Sequence, residues 1–385
     1  MRNFTEEQHM FRDAYRKFLE AEIAPKMEAW REDAIVGREA FEAAGKQGML
    51  MIWPDEKYGG LGDPDFRYEQ IIIEEIQRAD CVEWYAPLHS RLVGPYFKIG
   101  NEEQRERFLP KCVTGECILA VAMTEPGAGS DLSGMRSEAR DMGDHWLLNG
   151  SKTYISNGIN ADVVIVAAKV AGAEDPYAMN LMIVERGMEG FERGRNLDKM
   201  GLKGQDTAEL FFNDVKIPKE NVLGEPGKGF VYLMNGLAEE RLMAAVGNVA
   251  AARKAFDLTR QYVMERKVFG EQLSDMQNTQ FKMAEMDTEI EIVETYVDVL
   301  VERHNRGQLD ANMAAKAKLQ SSELQGRMVD LGVQLHGGAG YMQEYEICRM
   351  YTDARISRIL AGSSEIMKYI VGRDIFTQKY VSPLA

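Results

Sequence analysis

Four short turns rich in Gly, Ser and Thr stand far apart in the chain: Thr124 to Asp131 (TEPGAGSD), Tyr154 to Gly158 (YISNG), Gln334 to Gly340 (QLHGGAG) and Ala361 to Glu365 (AGSSE). Turns of this kind present backbone N–H groups and hydroxyls, the donors that the polar rim and phosphates of a nucleotide cofactor need. Any one of them reads as an ordinary turn; the four together point to a cofactor. A second group with chemical potential is Glu239-Glu240-Arg241. Helical spacing puts Leu237, Met243, Ala244, Gly247 and Ala251 on the face of Glu240. A carboxylate among small apolar neighbours is partly desolvated, which raises its pKa and suits a base. The same two glutamates also read as acidic groups near a helix N-terminus, favoured by the dipole.

Other chemistries are excluded by spacing. No G-x-G-x-x-G follows a strand, so a nicotinamide Rossmann domain is not expected. Lys152-Thr153 follows Gly150-Ser151 without completing a P-loop. His9, His89, His145, His304 and His336 are scattered, with no second ligand at helical spacing, so no metal site is expected. Cys81, Cys112, Cys117 and Cys348 show neither zinc-like pairing nor a small disulfide framework, and read as reduced, mostly buried thiols of a cytoplasmic protein.

The elements that must position these groups fall into three textures. Up to about residue 117 the chain reads as helices: Thr5 and Gln8 have capping-box spacing, and Phe11, Tyr15 and Phe18 share a face until Pro25 stops the run. From 118 to 222 it reads as strands, with Asn149-Gly150 predicting a hairpin between Trp146–Leu148 and Thr153–Ile155. Val163–Val170, Leu181–Val184 and Leu210–Phe212 are further short β runs. Pro218–Gly229 is rich in turn residues and marks a boundary. From 223 to 385 the chain is helical again. Leu242, Val249, Phe256 and Val263 recur every seven residues in one long helix, and 277–303 and 312–335 supply two more, predicting an antiparallel bundle. The expected fold is α+β: a helical N-terminal domain (1–117), a β domain (118–222) and a C-terminal helical bundle (223–385).

Composition sets limits on partners. The 385 residues exceed what one core usually serves. With 46 basic against 61 acidic residues the net charge is −15, which disfavours nucleic acid. The longest apolar runs are too short to span a bilayer, and no secretion signal opens the chain.

Five motifs in order carry a resemblance: T-E-P-x-A-G-S-D from Thr124, the aromatic-I-S-N-G turn from Tyr154, V-L-G-x-x-G-x-G-F from Val222, R-x-x-F-G from Arg266 and Q-x-x-G-G-x-G from Gln334. On these the chain resembles the acyl-CoA dehydrogenases, nearly end to end, and most closely their long-chain and isovaleryl branch. The resemblance implies FAD. It implies that Met123, Thr124 and Ser130 line the flavin ring and ribityl chain, that Tyr154, here in place of the more familiar tryptophan, and Ser156 cover the ring, and that Ser363 and Glu365 close the site. Arg266, Phe269, Gln277, Gln334, Gly337 and Gly338 would hold the diphosphate and adenosine of a neighbouring subunit's FAD. It further implies a homotetramer, with an electron-transfer flavoprotein as acceptor.

The reaction so implied removes the α proton of an acyl thioester while a hydride leaves the β carbon for the flavin, which requires a carboxylate base and donors on the thioester oxygen. Many members of the family carry the base in a Tyr-Glu-Gly-Thr loop. This chain has Leu360-Ala361-Gly362-Ser363 there, so Ala361 occupies the base's place. The branch that carries its base on the first bundle helix, directly before an Arg, matches Glu240-Arg241. By resemblance Glu240 is the base, Arg241 steadies the flavin–substrate region, Ser130 touches the CoA portion, and the Ala361 N–H with Gly362 beside it contributes to the oxyanion hole. Glu365 reads as cofactor support. Two other readings stay open: a flavin oxidase or monooxygenase on the same scaffold, and a non-catalytic acyl-CoA-binding relative that lost its base.

Overall fold

A computed structural model describes residues 4–377. Its N-terminal part contains α1 (Glu6–Phe18), α2 (Met27–Asp33), α3 (Arg38–Lys46), α4 (Phe66–Arg78) and α5 (Glu102–Thr114). The Thr5–Gln8 capping box forms in full: Gln8 N–H donates to Thr5 Oγ1 and Thr5 N–H to Gln8 Oε1. Pro25 does not stop the first run. Helical turns continue through Leu19–Ile23 and Ala24–Lys26, with Pro25 in the first turn of the latter, into α2. A proline at a helix start loses no internal hydrogen bond, so there it bends the path and lets the helical turns go on.

The central strands are β1 (Leu119–Ala122), β2 (Glu138–Asp141), β3 (His145–Ser156), β4 (Val163–Val170), β5 (Met179–Glu185), β6 (Phe191–Asn196), β7 (Thr207–Pro218) and β8 (Val222–Leu223). They form one sheet in the order β6-β7-β3-β2-β4-β5-β8, with β1 pairing β4. β1 and β2 both run parallel to β4, and the remaining pairs are antiparallel. β4 is buried on both faces. Val163, Ile165 and Ala167 join Phe97, Phe108 and Leu181, while Val164, Val166 and Ala168 join Trp146, Leu148 and Ile217. This is the period of two that a doubly covered strand shows.

Asn149-Gly150 is not a hairpin. It lies inside the continuous 12-residue β3, where the register against β7 slips between Leu148 and Gly150. The Asn149 side chain exchanges two 2.9 Å hydrogen bonds with Asp214, one to its side chain and one from its N–H. Gly150, at φ +145°, brings the backbone so close to β2 that a Cβ would lie 2.3 Å from Ser137 Oγ. An Asn-Gly pair supplies positive φ to a bulge as readily as to a turn, and the neighbouring strand decides which.

The C-terminal part contains α6 (Gly229–Glu265), the two-stranded β9 (Lys267–Val268) and β10 (Glu271–Gln272), then α7 (Gln277–Asn305), α8 (Ala311–His336), α9 (Glu346–Ala354) and α10 (Ser364–Ile375). Arg253 pairs with both Asp287 and Glu294, and Leu242 packs with Val297 and Leu300, so α6 and α7 are antiparallel. α8 returns parallel to α6, since Asn248 Nδ2 donates to Ser321 Oγ and Tyr262 Oη to the His336 carbonyl. Ser364 bonds to Glu323 and Asn312 to Asp374, which makes α10 antiparallel to α8. The antiparallel bundle predicted from loop lengths therefore forms. No helix among the described residues is long and apolar enough to cross a membrane.

Candidate functional site

The first turn of the site is pinned to β3 by groups that sequence reading did not single out. Lys152 reaches from the strand to Glu125 (2.8 Å) and the Met123 carbonyl (3.1 Å). Thr153 N–H donates to the Thr124 carbonyl (2.9 Å). Burial pulls Lys152 down to about 8, against the hydrogen bond and charge of Glu125, whose carboxylate also accepts the Arg136 and Ser137 N–H groups. A buried pair satisfied this fully is stiff. It holds Met123 and Thr124 beside Tyr154 and Ser156, whose stretch of β3 carries a second register slip between Lys152 and Ile155. On that bulge Tyr154 sits at φ +59° with 69% of its surface exposed. Bulges re-aim side chains, and a strained, exposed aromatic beside hydroxyl-bearing turns suits a flat ring system. Ser130 is exposed in the same turn.

At the other end of the bundle, β9 and β10 pair so that Phe269-Gly270 forms a two-residue turn with φ of +54° and +89°. This geometry lifts Phe269 fully into solvent. Arg266 flanks the turn, and Gln277 opens α7 nearby; both are exposed. The stacking of Tyr262 on His336, 4.2 Å between centroids, brings the end of α8 to the same place. Gln334, Gly337 and Gly338 are exposed there, and a Cβ on either glycine would meet nothing within 4 Å. Backbone open to this degree can take a phosphate at close range.

Glu240 and Arg241 belong to the near end of α6. Glu240 lies about three turns inside the helix, beyond the reach of the N-terminal dipole, so the dipole reading of this pair does not hold. The carboxyl is buried, 7% exposed. Among the described residues no cation forms an ion pair with it; its one hydrogen bond is a long one, 3.4 Å, donated by the Tyr96 hydroxyl. Burial lifts its pKa to about 7, with the Arg241 charge and the Tyr96 bond opposing. Glu239, one residue earlier, is held by Arg91 and, at 3.3 Å, by His304. Burial would raise that carboxyl too, but the His304 hydrogen bond and the Arg91 charge bring it down to about 2.

Arg241 is buried, and its Nε has no hydrogen-bond partner among the described residues. Its charge acts on Lys318 of α8, which burial foremost holds down at about 8. Lys318 in turn donates to the Gly362 carbonyl at 2.6 Å. Ala361 and Gly362 both take positive φ, +52° and +92°, so the loop is fixed in a shape alanine rarely adopts. Ser363 caps α10 by accepting the Ile366 N–H. Glu365, in the first turn of α10 and exposed, has a pKa lowered by its own backbone N–H and by Ser363, as a carboxylate at a helix start should.

The cofactor implied by these turns fits the groups present. Tyr154 and Phe269 offer rings to solvent, Gly337 and Gly338 leave backbone uncovered, and Arg241 keeps a buried N–H unspent. Tyr96, Arg91, His304 and Lys318 lie far in sequence from the motifs they support, and nothing local marks them; Glu125 lies inside the first motif and Lys152 two residues before Tyr154, but only the fold pairs them.

Family comparison agrees along the whole chain. Three acyl-CoA dehydrogenase models match in succession, the N-terminal domain at residues 5–116, the middle domain at 120–215 and the C-terminal domain at 227–376. The chain is 45% identical over 381 residues to a long-chain specific acyl-CoA dehydrogenase of Sus scrofa, covering 98% of this chain and 88% of that protein. It is 38% identical over 375 residues to an isovaleryl-CoA dehydrogenase of Pongo abelii, covering 96% and 88%. Among solved structures, an acyl-CoA dehydrogenase from Geobacillus kaustophilus superposes with a TM-score of 0.95 at 46% identity, covering 98% of this chain and all of that one. An acyl-CoA dehydrogenase from Bacillus anthracis complexed with FAD gives 0.88 at 33% identity, over 96% of this chain and 66% of that one. The chain belongs to the acyl-CoA dehydrogenase family of FAD-dependent flavoprotein oxidoreductases.

Proposed function

We propose that this acyl-CoA dehydrogenase uses Glu240 as its base. The observation that carries the reading is the contrast within one dipeptide. Glu239 is held as a carboxylate by the Arg91 guanidinium and a contact with the His304 ring, whereas Glu240 is buried with only a long tyrosine bond and a pKa of about 7. A base poised near the working pH is the more effective one. Glu240 takes the α proton of the acyl thioester. The Ala361 N–H, held in place by its positive φ and the Lys318 tether on Gly362, meets the negative charge that grows on the thioester oxygen. When bound, FAD supplies the oxidant for the β C–H electron pair. Met123, Thr124, Ser130, Tyr154 and Ser156 would hold its ring end, with Ser363 and Glu365 beside them. Arg241, with its unspent N–H, would steady the ring and substrate.

Arg266, Phe269, Gln277, Gln334, Gly337 and Gly338 serve the far end of the dinucleotide of a second copy. Along α6, Arg266 is about 40 Å from Glu240, too far for one cofactor to span both clusters within one chain. This favours an assembly of at least two copies, and a homotetramer by likeness to the family. Long-chain and isovaleryl relatives keep straight and branched acyl-CoA substrates both in view; an electron-transfer flavoprotein is the proposed acceptor. Four cysteines without disulfides fit a reducing compartment such as the cytoplasm. We place the domain boundaries near residues 117 and 222.

The test is Glu240→Gln. Bound flavin stays, and anaerobic bleaching of the flavin band by acyl-CoA slows by a factor of at least 10³, the scale of a lost general base with its alignment. Bleaching within tenfold of the native rate would remove Glu240 from the role.

A further inference from the structure

Arg91, from the irregular helical segment Leu88–Val93, is only 6% exposed, and its guanidinium is spent on Glu239 and on the Pro64 carbonyl. It lies over the ring of Phe66, 5.5 Å from the centroid. His304, from the last turn of α7, meets the same ring edge-on at 5.0 Å while bonding the other Glu239 oxygen. Two elements thus converge on a carboxylate that stands next to Glu240 in the chain, with the Phe66 ring packed against both partners. That carboxylate is close enough for its charge to bear on Glu240, pushing the neighbouring carboxyl toward its protonated form.

We propose that Arg91 is a positioning residue for the reaction: by holding the Glu239 carboxylate, with His304 as second partner, it keeps an uncompensated negative charge from acting on the catalytic carboxyl of Glu240. The inference rests on Glu240 being the base. The ion pair is an expensive way to fix a helix. Desolvating two charges costs nearly what their attraction returns, and an apolar pair of similar volume would hold the helix as well. What an apolar pair could not do is set the charge beside the base.

The other groups around Glu240 give the sign. Arg241 on the same helix favours the carboxylate, and so does the Tyr96 hydroxyl. Tyr85 feels the charges of both Glu240 and Glu69, and Glu69 on α4 is itself buried, with Oε1 unpartnered, and lies within the field of Arg91 and Glu239. Lys98 is held down by burial and by Arg91, with Glu239 opposing. Lys318 does not bear directly on Glu240 and is itself held down first by burial and then by the Arg241 charge. In this set Glu239 is the one carboxylate bearing on Glu240; Arg91 is the cation that neutralises it, and His304 is its second contact.

The test is the pH profile of substrate-driven flavin bleaching in the flavin-loaded enzyme, for Arg91→Met, Glu239→Gln and the double variant. Arg91→Met exposes the Glu239 charge and moves the limb that reports the ionised base upward by about one pH unit. That is roughly a tenfold loss below the limb, with the high-pH plateau retained. Glu239→Gln leaves Arg91 unopposed and moves the limb downward. The double variant returns it to the native position. A purely structural role predicts another pattern: lower rates at every pH, an unmoved limb, and no recovery in the double variant. That pattern would overturn the proposal, as would single variants whose limbs stay put. Failure of the underlying assignment is separate, since it shows as an active Glu240→Gln enzyme whatever Arg91 does.

Discussion

Glu239 and Glu240 are the same side chain one residue apart, and their surroundings give them opposite chemistry. The helix turns them about 100° from each other, so one meets Arg91 and His304 and the other meets Tyr96 and burial. The raised pKa of Glu240 has a thermodynamic consequence. Below the usual carboxylate range it is neutral in both folded and unfolded chains and costs the fold nothing. Above about 7 it is charged in both, and the fold bears the desolvation of that charge, about 3 kcal/mol at 1.36 kcal/mol for each unit of pKa. Glu240→Gln should therefore barely change the melting temperature at pH 5 and raise it clearly at pH 8, with flavin bound throughout. Equal changes at the two pH values would mean that the carboxyl is not buried as described. From sequence, Glu240 is proposed only through the family resemblance, by the Glu-Arg pair and by Ala361 standing where many members carry the base. Its environment was not legible, because Tyr96, Arg91 and His304 come from segments 144, 149 and 64 residues away and only packing brings them near.

At the scale of elements, local signals were read well where the local chain decides the outcome. The Thr5–Gln8 cap needs only its own four residues, and the heptad of α6 needs only a core to face. Asn149-Gly150 was misread because its fate is decided by β2 and β7, which lie on either side of β3 and turn a would-be turn into a bulge. That bulge is where the sheet spends its tolerance: Gly150→Ala would set a Cβ 2.3 Å from Ser137 Oγ at a φ that alanine resists. A destabilisation of about 2 kcal/mol is expected, and weaker flavin retention with it, since Lys152 and Tyr154 follow directly along the same strand. Thermal unfolding and bound-flavin absorbance read the two effects together. A neutral substitution would show that the approach to β2 is slack.

The two clusters proposed to hold the cofactor, one beside Glu240 and one around Arg266, are separated along one 37-residue helix, a distance that no single motif announces. Phe269 makes the point most sharply. The fold spends a left-handed turn to hold an apolar ring entirely in water, where it contributes nothing to its own chain. Phe269→Ser should leave the urea midpoint of the isolated chain unchanged and weaken flavin retention by roughly 1 kcal/mol or more, the worth of an aromatic contact. Unchanged retention would detach this turn from the cofactor. If each flavin is gripped by residues of two copies, then holding cofactor and holding partner are one equilibrium. Diluting the enzyme would strip it of colour even at fixed free flavin, and added flavin would in turn drive assembly, so that occupancy follows the concentration of the protein as well as that of the cofactor.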